Sequence, residues 1–397
     1  MVILIRCNDI VTDPRAMKYV KYIRDNKIPH RFIGWDRDMA KPDIVDAILM
    51  QMPAGYNVGG MKAAWNRVKW MFFVYKQLFK MKVRNATLHG CDVDSAFPAA
   101  CFKLFHPSNK LIFDVFDWFS ATLYDQNGLI KFAFRVMEHF TVKHSDYVFI
   151  CEEERIRQIP FKVKPDKVKV LPNIPYFETS DFLRKDENLL FDNDKLTVSY
   201  VGGFCNERCL SEIVDLAEKG VINLAIAGFG DKELEEKLDS LNDCPYIKYY
   251  GKVSYQDGLN ISYNSDMIYA MYSKVNPNHI YAAPNKFYEA MFLGKPLFTT
   301  KGTIVENKVQ DRNTGYVSEE SEAEIRDVME SISREDMVAK GCRARENWEK
   351  VFCNYTRDFL EKDYMNMINS YKSETYGGGY NIASYEIQPV PVMCIAA

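Results

Sequence analysis

Short apolar segments alternate with longer amphipathic segments along almost the whole chain. Each apolar segment is rich in Val, Ile, Tyr or Phe, and a segment of helical length follows it. This alternation is typical of parallel sheets that are covered by helices on both faces. The pattern predicts two doubly wound α/β domains. The predicted strands are 2–5, 31–35, 86–89, 111–115, 147–150, 168–171, 196–201, 223–227, 247–250, 267–272, 296–300 and 315–317.

The strand series is interrupted by a charged stretch with two prolines at residues 171–195. Such a stretch is typical of a linker between domains, and 397 residues with 47% hydrophobic composition suffice for two cores. Near the end, apolar residues at helical spacing predict one long helix. We therefore predict five parts, namely an N-terminal domain, a linker, a second domain, a long helix and a tail, over residues 1–172, 173–195, 196–344, 345–371 and 372–397.

Composition and charge exclude several classes of protein. The chain has 51 basic and 54 acidic residues, so no global positive field favours nucleic acid. No run reaches the ~18 apolar residues that a membrane span needs, and the N-terminal apolar run is too short for a signal peptide. The ten cysteines are scattered without metal-site spacing, which favours reduced thiols and a cytoplasmic location. We expect no metal site.

Ligands of open parallel sheets bind beyond the carboxyl ends of the strands, so the loops after the strands are the candidate site. The loop after strand 196–201 contains Gly202-Gly203 and Arg208, which suit a close backbone approach by an anionic ligand. A glycine turn with a solvated arginine is the alternative. The next loop contains Gly228-x-Gly230, a weak dinucleotide fingerprint because a third spaced glycine is missing, and Gly228 is a candidate for binding a nucleotide donor.

A third loop leads into the segment PNKFYEAMFLGKP, residues 284–296. Pro284 suits a helix start and Gly294 a helix end. The first turn would aim free backbone N–H groups, including that of Asn285, and the charge of Lys286 at a diphosphate. Glu289 lies one turn further on, where its carboxylate could accept from two ribose hydroxyls. The alternative is an exposed helix glutamate.

Polar residues at strand ends of the first half are candidates for the chemical step. Asp117, His89 and Asp92 could orient an acceptor hydroxyl or accept its proton. Asp117 could instead cap a turn, and His89 could be an ordinary loop histidine. The stretch Asp13-Pro14-Arg15 combines a helix cap with a cation, so Arg15 is a candidate for acceptor binding.

The segment 61–84 contains seven basic residues, many aromatic residues and no acid. On a helix its lysines share one face, which would suit anionic lipid head groups. A core helix with a solvated basic side is the alternative. The residues predicted for this face are Lys62, Lys69, Lys76 and Lys80, flanked by Trp70 and Phe73.

In their combination and order, these segments resemble the GT-B glycosyltransferases of family 4. The resemblance covers about residues 1–370 and includes PNKFYEAMFLGKP, YVGGFCNERCLSEIVDLA, LAIAGFGD and LIFDVFDWFS. It implies a GT-B fold, in which two parallel-sheet domains face a cleft and a C-terminal helix crosses back to the first domain.

The resemblance also implies an activity, namely transfer of a sugar from a nucleoside diphosphate sugar of the UDP or GDP type. Transfer in this family is normally retaining and needs no metal or other cofactor. Arg208 and Lys286 would match the positions that hold the diphosphate, and Glu289 would match the second glutamate of the family's E-x7-E motif. A glycan or lipid-linked acceptor of cell-surface polysaccharide synthesis would agree with a peripheral position on the inner face of the membrane.

Two positions depart from the family's pattern. The first glutamate of E-x7-E is replaced by Tyr281, and Phe116 stands where the family often has a histidine. These departures leave a catalytically silent nucleotide-sugar-binding protein as the alternative. A dehydrogenase is disfavoured by the missing third glycine.

Overall fold

Two parallel β-sheets, each covered by helices, make up the protein. The structure is a computed structural model, and it describes residues 1–8, 10, 13–39, 46–54, 61–123, 128–159, 161–176 and 180–369. The first sheet has seven strands and the second has six, and all pairings between neighbouring strands are parallel. The predicted α/β class with two doubly wound sheets is confirmed.

The elements are numbered in chain order. The strands are β1 Val2–Arg6, β2 His30–Asp36, β3 Ala47–Gln51, β4 Thr87–Cys91, β5 Lys110–Val115, β6 Tyr147–Ile150, β7 Val168–Val170, β8 Thr197–Gly203, β9 Asn223–Phe229, β10 Ile247–Tyr249, β11 Met267–Ala270, β12 Leu297–Thr300 and β13 Gly315–Ser318. The helices are α1 Pro14–Asp25, α2 Met61–Lys80, α3 Val93–Phe105, α4 Phe119–Thr122, α5 Gly128–His144, α6 Leu210–Glu218, α7 Lys232–Ser240, α8 Tyr255–Tyr263, α9 Asn285–Leu293, α10 Ile304–Arg312, α11 Glu322–Glu330, α12 Arg334–Asn347, α13 Tyr355–Asp358 and α14 Met365–Asn369.

Strand order fixes where each sheet can bind a ligand. The first sheet runs β3-β2-β1-β4-β5-β6-β7, and the second runs β10-β9-β8-β11-β12-β13. In each sheet the order reverses beside the first strand, between β1 and β4 and between β8 and β11. Adjacent loops diverge at such a point and leave a crevice at the carboxyl ends of the strands. Each sheet therefore offers one candidate crevice.

The two faces of the first sheet pack against different helices. On one face, Trp70 of α2 and Ala99 of α3 join a core with Ile3 and Leu88 of the sheet. On the other face, α1 packs together with the C-terminal helical segment, which inserts residues such as Tyr364. The last helical segment thus crosses from the second sheet back to the first, as the resemblance implies.

Each predicted strand is present, with ends shifted by at most two residues. The pattern missed β3, whose residues are only partly buried at the edge of the sheet. An edge strand contacts a single neighbour, so the apolar run that marks a central strand is weaker there. Helix α9 ends at Gly294, which has a φ of 65°, as its sequence predicts.

The long C-terminal helix begins earlier than predicted and is interrupted. It starts as α12 and continues through π-helical turns at Trp348–Phe352 and Phe359–Tyr364 to α14. The aromatic side chains of the two π turns are buried, among them Trp348 and Tyr364. The predicted tail over 372–397 lies outside the described residues. Within the described ranges, none of the helices has the length and apolarity to cross a membrane.

Residues of the predicted linker lie against the second sheet's helices. The backbone N–H of Arg184 donates to the side chain of Asn260, and Asn264 donates to the Arg184 carbonyl, both at 2.9 Å. This stretch is therefore held by α8 and the residue that follows it. The predicted domain limits stay predictions.

Candidate functional site

Three cavities lie in sequence along the cleft between the sheets. The first-sheet pocket, about 820 Å³, lies at the crevice beside β1 and β4, and the second-sheet pocket, about 720 Å³, lies at the crevice beside β8 and β11. A central pocket of about 270 Å³ shares Asp117 with the first and Arg208 with the second. The cavities thus form one path from the first sheet to the second.

Glycines shape the wall of the second-sheet pocket. Gly203 lines it, and a side chain there would meet no neighbouring atom, so the loop leaves space for a ligand. Gly228, predicted to bind the donor, is not among the described residues that line this pocket. A Cβ on Gly228 would lie 1.8 Å from the carbonyl oxygen of Gly202, so this glycine lets β8 and β9 approach closely. Gly230, two residues later, lines the pocket instead.

Arg208 and Lys286 line the second-sheet pocket, and neither forms a salt bridge with a described residue. The guanidinium of Arg208 lies 4.3 Å from the ring centre of Tyr272, and its buried Nη1 has no hydrogen-bond partner in the described structure. The Nζ of Lys286 lies 4.9 Å from the ring centre of Tyr200. Burial lowers the pKa of Lys286 to about 8. An anion between these two groups would supply the missing partner.

Helix α9 begins at this site. Its first residue, Asn285, lines the central pocket, and Lys286 lines the second-sheet pocket. Glu289 lies one turn later beside Lys286, and its carboxylate accepts from the hydroxyl of Tyr255 at 2.9 Å. Burial raises the pKa of Glu289. The described lining of the second-sheet pocket does not include Glu289, so its contact with a ribose stays a prediction.

The charges at the base of the first-sheet pocket are paired. Arg6 forms an ion pair with Asp92, and Arg67 forms one with Asp94. The other oxygen of Asp92 accepts from the backbone N–H of Phe116 at 3.0 Å. Burial raises the pKa of Asp92 to about 6, against the opposing effect of Arg6. Asp92 therefore positions Arg6 and the loop after β5, and its part in the chemical step stays a prediction.

Asp117 stands where the first-sheet pocket meets the central pocket. Its side chain is half exposed and accepts from the buried guanidinium of Arg155 at 2.9 Å. Arg155 also donates to the carbonyls of Phe116 at 2.7 Å and Tyr281 at 2.9 Å. Arg155 thus connects the carboxylate of Asp117, beside the first sheet, with the backbone of Tyr281, beside the second. Among the three predicted catalytic residues, Asp117 has the most access to a ligand.

Arg15, predicted to bind the acceptor, is held inside the protein. Only 4% of Arg15 is exposed, and its Nη2 donates to Asp114 at 2.6 Å. Its Nη1 donates to the carbonyl of Leu171 at 2.6 Å and to the side chain of Asn173 at 2.8 Å. Burial opposes the charge on Asp114, but Arg15 and His89 hold the pKa of that carboxyl well below its usual range. Arg15 therefore lines the central pocket, but its Nε, Nη1 and Nη2 all donate to atoms of the protein.

His89 lies in the core and not in the cleft. It is fully buried in β4, where its Nδ1 lies 2.9 Å from the hydroxyl oxygen of Tyr364 and its Nε2 lies 3.6 Å from Asp114. The prediction that His89 takes part in the chemical step was wrong about its position. A histidine within a strand of the sheet points to a face, and this face is covered by α1 and the C-terminal helix.

The two departures from the family's pattern lie on the central pocket or beside it. The ring of Phe116 lines this pocket, with the guanidinium carbons of Arg6 and Arg15 at 4.1 and 5.2 Å from its centre. Tyr281 is half-buried and presents its carbonyl to Arg155. Among the lining residues nearby is His279, whose Nδ1 lies 2.9 Å from the Ser273 carbonyl.

Sequence reasoning missed two residues of this region. Arg155 follows the end of β6, so the strand-end rule that selected Asp117 applies to it as well. Asp114 is a carboxylate in the buried, apolar part of β5, and such a residue signals a buried partner. The partner itself, Arg15, is 99 residues away in the chain and could not be read from the pattern.

No family model matches the sequence, and no curated protein matches it either. The structure is similar to a sucrose-phosphate synthase from Thermosynechococcus elongatus, with a TM-score of 0.70 and 12% identity over 93% of this chain and 99% of that one. It is also similar to WaaG, a glycosyltransferase involved in lipopolysaccharide biosynthesis, with a TM-score of 0.63 and 13% identity over 93% and 100% of the two chains.

The chain has the GT-B fold. The crevices at the two sheets and the returning C-terminal helix agree with this assignment. A UDP-N-acetylglucosamine 2-epimerase is similar too, with a TM-score of 0.60 and 12% identity over 96% of this chain and 99% of that one. Proteins with different chemistry thus share this fold, and the activity must be argued from the site.

Proposed function

We propose that this GT-B protein transfers a sugar from a nucleoside diphosphate sugar to an acceptor in the cleft. The observation that carries the proposal is the pair of cations in the second-sheet pocket. The Nη1 of Arg208 is buried and has no hydrogen-bond partner among the described residues, and Lys286, although Glu289 lies one turn away, forms no salt bridge with any of them. A diphosphate would satisfy both groups, and the same cations would stabilise the negative charge of the departing nucleoside diphosphate.

The acceptor would enter from the first-sheet pocket. That pocket meets the central pocket at Asp117, the exposed carboxylate nearest the junction. In this arrangement, Asp117 would orient the acceptor hydroxyl or accept its proton, and Arg155 would hold Asp117 in place. The sugar would occupy the central pocket, between the diphosphate and the acceptor.

The finer parts of the proposal rest on the resemblance and on the structural neighbours. We assign transfer of a hexose with retention, from a UDP or GDP donor, to a glycan or lipid-linked glycan of cell-surface polysaccharide synthesis, as in lipopolysaccharide or capsule. WaaG and a lipopolysaccharide outer core galactosyltransferase with a TM-score of 0.54 support this class of acceptor. The described cysteines are free, which supports a cytoplasmic location, peripheral on the inner face of the membrane.

We also propose that the reaction needs no metal ion. Among the described residues, one buried group has the donors for a metal, formed by His89, Cys91 and Asp114. The carboxylate of Asp114 already accepts from Arg15 and from the hydroxyl of Tyr19 at 2.7 Å, so this group suits a structural network better than a metal. It also lies in the core and not at the second-sheet pocket.

A panel of nucleoside diphosphates and their sugars tests the proposal. A bound ligand raises the free energy of unfolding by RT ln(1+[L]/Kd), about 2.7 kcal/mol at a hundredfold excess over Kd, and a thermal-shift assay detects this rise. The stabilising donor is then incubated with and without acceptor glycans. A transferase releases nucleoside diphosphate and extends the acceptor, and NMR of the product gives the anomeric configuration.

Two other outcomes have distinct signatures. An epimerase changes the donor sugar without an acceptor, and a catalytically silent protein binds the donor and changes nothing. The second outcome is the alternative that Tyr281 and Phe116 keep open, because both replace side chains that the resembled family uses near the sugar. No stabilisation by any nucleoside diphosphate would contradict the proposed donor site.

A further inference from the structure

The exposed side of helix α2 alternates lysine with aromatic residues. Between positions 62 and 80, the exposed residues are all lysine, tryptophan or phenylalanine, and successive exposed residues are three or four positions apart up to Phe79. We name this set the α2 stripe. Its members are Lys62, Trp65, Lys69, Phe72, Lys76, Phe79 and Lys80.

The buried side of α2 fixes the direction of the stripe. Trp70, Val74 and Leu78 are fully buried against the first sheet, and Trp70 stacks on Trp35 with ring centres 6.0 Å apart. The predicted flanking residues Trp70 and Phe73 therefore face the core or its edge. The aromatic rings outside the core are Trp65, Phe72 and Phe79, which are 61, 73 and 64% exposed.

The stripe carries unbalanced positive charge. Helix α2 contains no Asp or Glu, and its four lysines form no ion pair with any residue in the described ranges. The whole chain has a formal charge of −3, so this charge is local. A surface that combines exposed rings with unpaired lysines complements a partner that is both apolar and anionic.

Neighbouring helices extend the apolar part of this surface. Helix α3 packs between α2 and α5, and the crossovers that lead through these helices run in one direction along the sheet, which puts all three on the same face. The end of α3 and one side of α5 expose further large apolar residues. They are Leu104, Phe105, Leu129, Phe132 and Val136.

We infer that the α2 stripe, with the exposed apolar residues of α3 and α5, docks this protein on an anionic lipid bilayer. The lysines would lie among anionic head groups, and the rings would lie at the boundary between head groups and acyl chains. A bilayer suits the stripe because its rings spread along the full length of α2 and none of them lines one of the three cavities described above. Exposed rings and lysines spread over the length of a helix would contact a broad surface, whereas a small ligand would contact only a few of them.

Docking would bring the first-sheet pocket to the lipid surface. Lys62 belongs to the stripe and also lines that pocket, as do Asn66 and Arg67 of the same helix. Resting on the proposed function, this geometry points to an amphiphilic acceptor, whose polar head enters the pocket while its hydrocarbon part stays in the bilayer. The docking itself does not depend on the proposed function.

Sedimentation with vesicles tests the docking. The protein should bind vesicles of phosphatidylcholine and phosphatidylglycerol at low salt and be released as salt screens the lysines. The double variant Lys69→Glu/Lys76→Glu should lower the partition coefficient at least about thirtyfold, because each lost basic residue contributes about a factor of five. The double variant Trp65→Ser/Phe72→Ser should lower it at unchanged charge.

Matched controls distinguish an effect of the stripe from a general effect of net charge or of exposed apolar area. Lys350→Glu/Lys362→Glu changes the net charge equally on the C-terminal helical segment, and Val338→Ser removes an exposed apolar residue of α12. Both controls should bind vesicles like the parent. Nucleoside diphosphate affinity, which the stripe does not affect, should be the same in all variants and shows that they are folded.

Several results would overturn the inference. Equal binding to purely zwitterionic vesicles, or binding to neither kind, would show that the stripe does not recognise anionic lipid. Dimers that dissociate in Phe72→Ser would assign the stripe to a second copy of the chain. A last result would separate docking from the choice of acceptor. If the protein binds vesicles but uses a soluble acceptor as well as one embedded in the bilayer, the docking is supported and the amphiphilic acceptor is wrong.

Discussion

The two halves of the cleft differ in whether their cations have carboxylate partners. In the first half, Arg6, Arg15, Arg67 and Arg155 each have a carboxylate partner. In the second half, the side chains of Arg208 and Lys286 contact tyrosine rings, and neither has a carboxylate partner within the described residues.

The difference separates architecture from ligand binding. A buried ion pair with its hydrogen bonds satisfied is stable by itself, and removing one partner leaves an uncompensated charge. A cation without a partner costs folding free energy unless a ligand supplies the anion. We therefore expect the paired arginines to matter most for stability and the unpaired cations to matter most for donor binding. Variants in the two halves test this contrast.

The largest effect on stability is expected for Arg15→Ala. The substitution leaves the fully buried Asp114 without its main partner, so the free energy of unfolding should fall by about 3–5 kcal/mol. Chemical denaturation measures this value. The double variant Arg15→Met/Asp114→Leu removes both charges and should recover part of the loss. An Arg15→Ala protein that is as stable as the parent but does not transfer would make Arg15 a substrate contact.

The largest effect on turnover is expected for Arg208→Ala. Losing a preorganised cation at the departing diphosphate should lower turnover about 10²–10³-fold. The melting temperature of the free protein should stay the same or rise, because the variant removes a charge with a buried, unpartnered nitrogen. Nucleotide binding, turnover and melting are measured on one preparation. Parent-like turnover together with a large loss of stability would reverse the contrast between the halves.

A smaller effect is expected for Glu289→Gln. The substitution keeps the shape and removes a charged acceptor, a loss of about 1.5–3 kcal/mol, hence one to two powers of ten in donor affinity. Tyr255→Phe is the matched control, because it removes the hydrogen bond to Glu289 and leaves the carboxylate. If Glu289→Gln binds and transfers like the parent, or if both variants lose affinity equally, the carboxylate has no direct contact with the ribose.

A pH dependence of donor binding is expected from Lys286. Its pKa of about 8 in the free protein means that the amine loses its charge above pH 8, so affinity for a diphosphate should fall by up to tenfold per pH unit there. Lys286→Ala should bind weakly with a flatter profile. Titration calorimetry at pH 7 and pH 9 measures both. A parent profile as flat as that of the variant would place Lys286 away from the anion.

The same lowered pKa has a consequence for folding. The unfolded chain, in which this lysine titrates near 10.5, binds the proton more tightly than the folded protein between pH 8 and pH 10.5. This group should therefore make the free protein more stable as pH rises through that interval, and bound diphosphate should abolish the gain.

No effect is expected from a metal chelator. If Arg208, Lys286 and the start of α9 neutralise the diphosphate, transfer should survive EDTA. Product release is followed before and after chelation, with added Mg²⁺ and Mn²⁺ as the comparison. Complete loss that either ion restores would assign the neutralisation to a metal and remove the basis for the contrast.

The sequence by itself determined the class of fold and which loops of the second sheet lie together. Strand periodicity, Gly294 at the end of α9 and the order of apolar segments are local properties, and a local pattern fixes local structure. The loops after β8 and β11 and the start of α9 meet because parallel strands place their carboxyl ends on one edge. For that reason the strand pattern alone groups Gly203, Arg208 and Lys286, whereas it does not reveal the close approach of β8 and β9 that requires Gly228.

Only the tertiary structure decided which polar residues pair with each other and which face the cavities. Asp114 engages Arg15 across 99 positions, and Arg155 reaches the Tyr281 carbonyl across 126. No local pattern encodes such pairs, because they depend on how separate elements pack. The same holds for α2, which is apolar on two sides. Its sequence alone could not show that Trp70 faces the sheet while Phe72 faces outward, since the rotation of a helix is set by the surface it packs against.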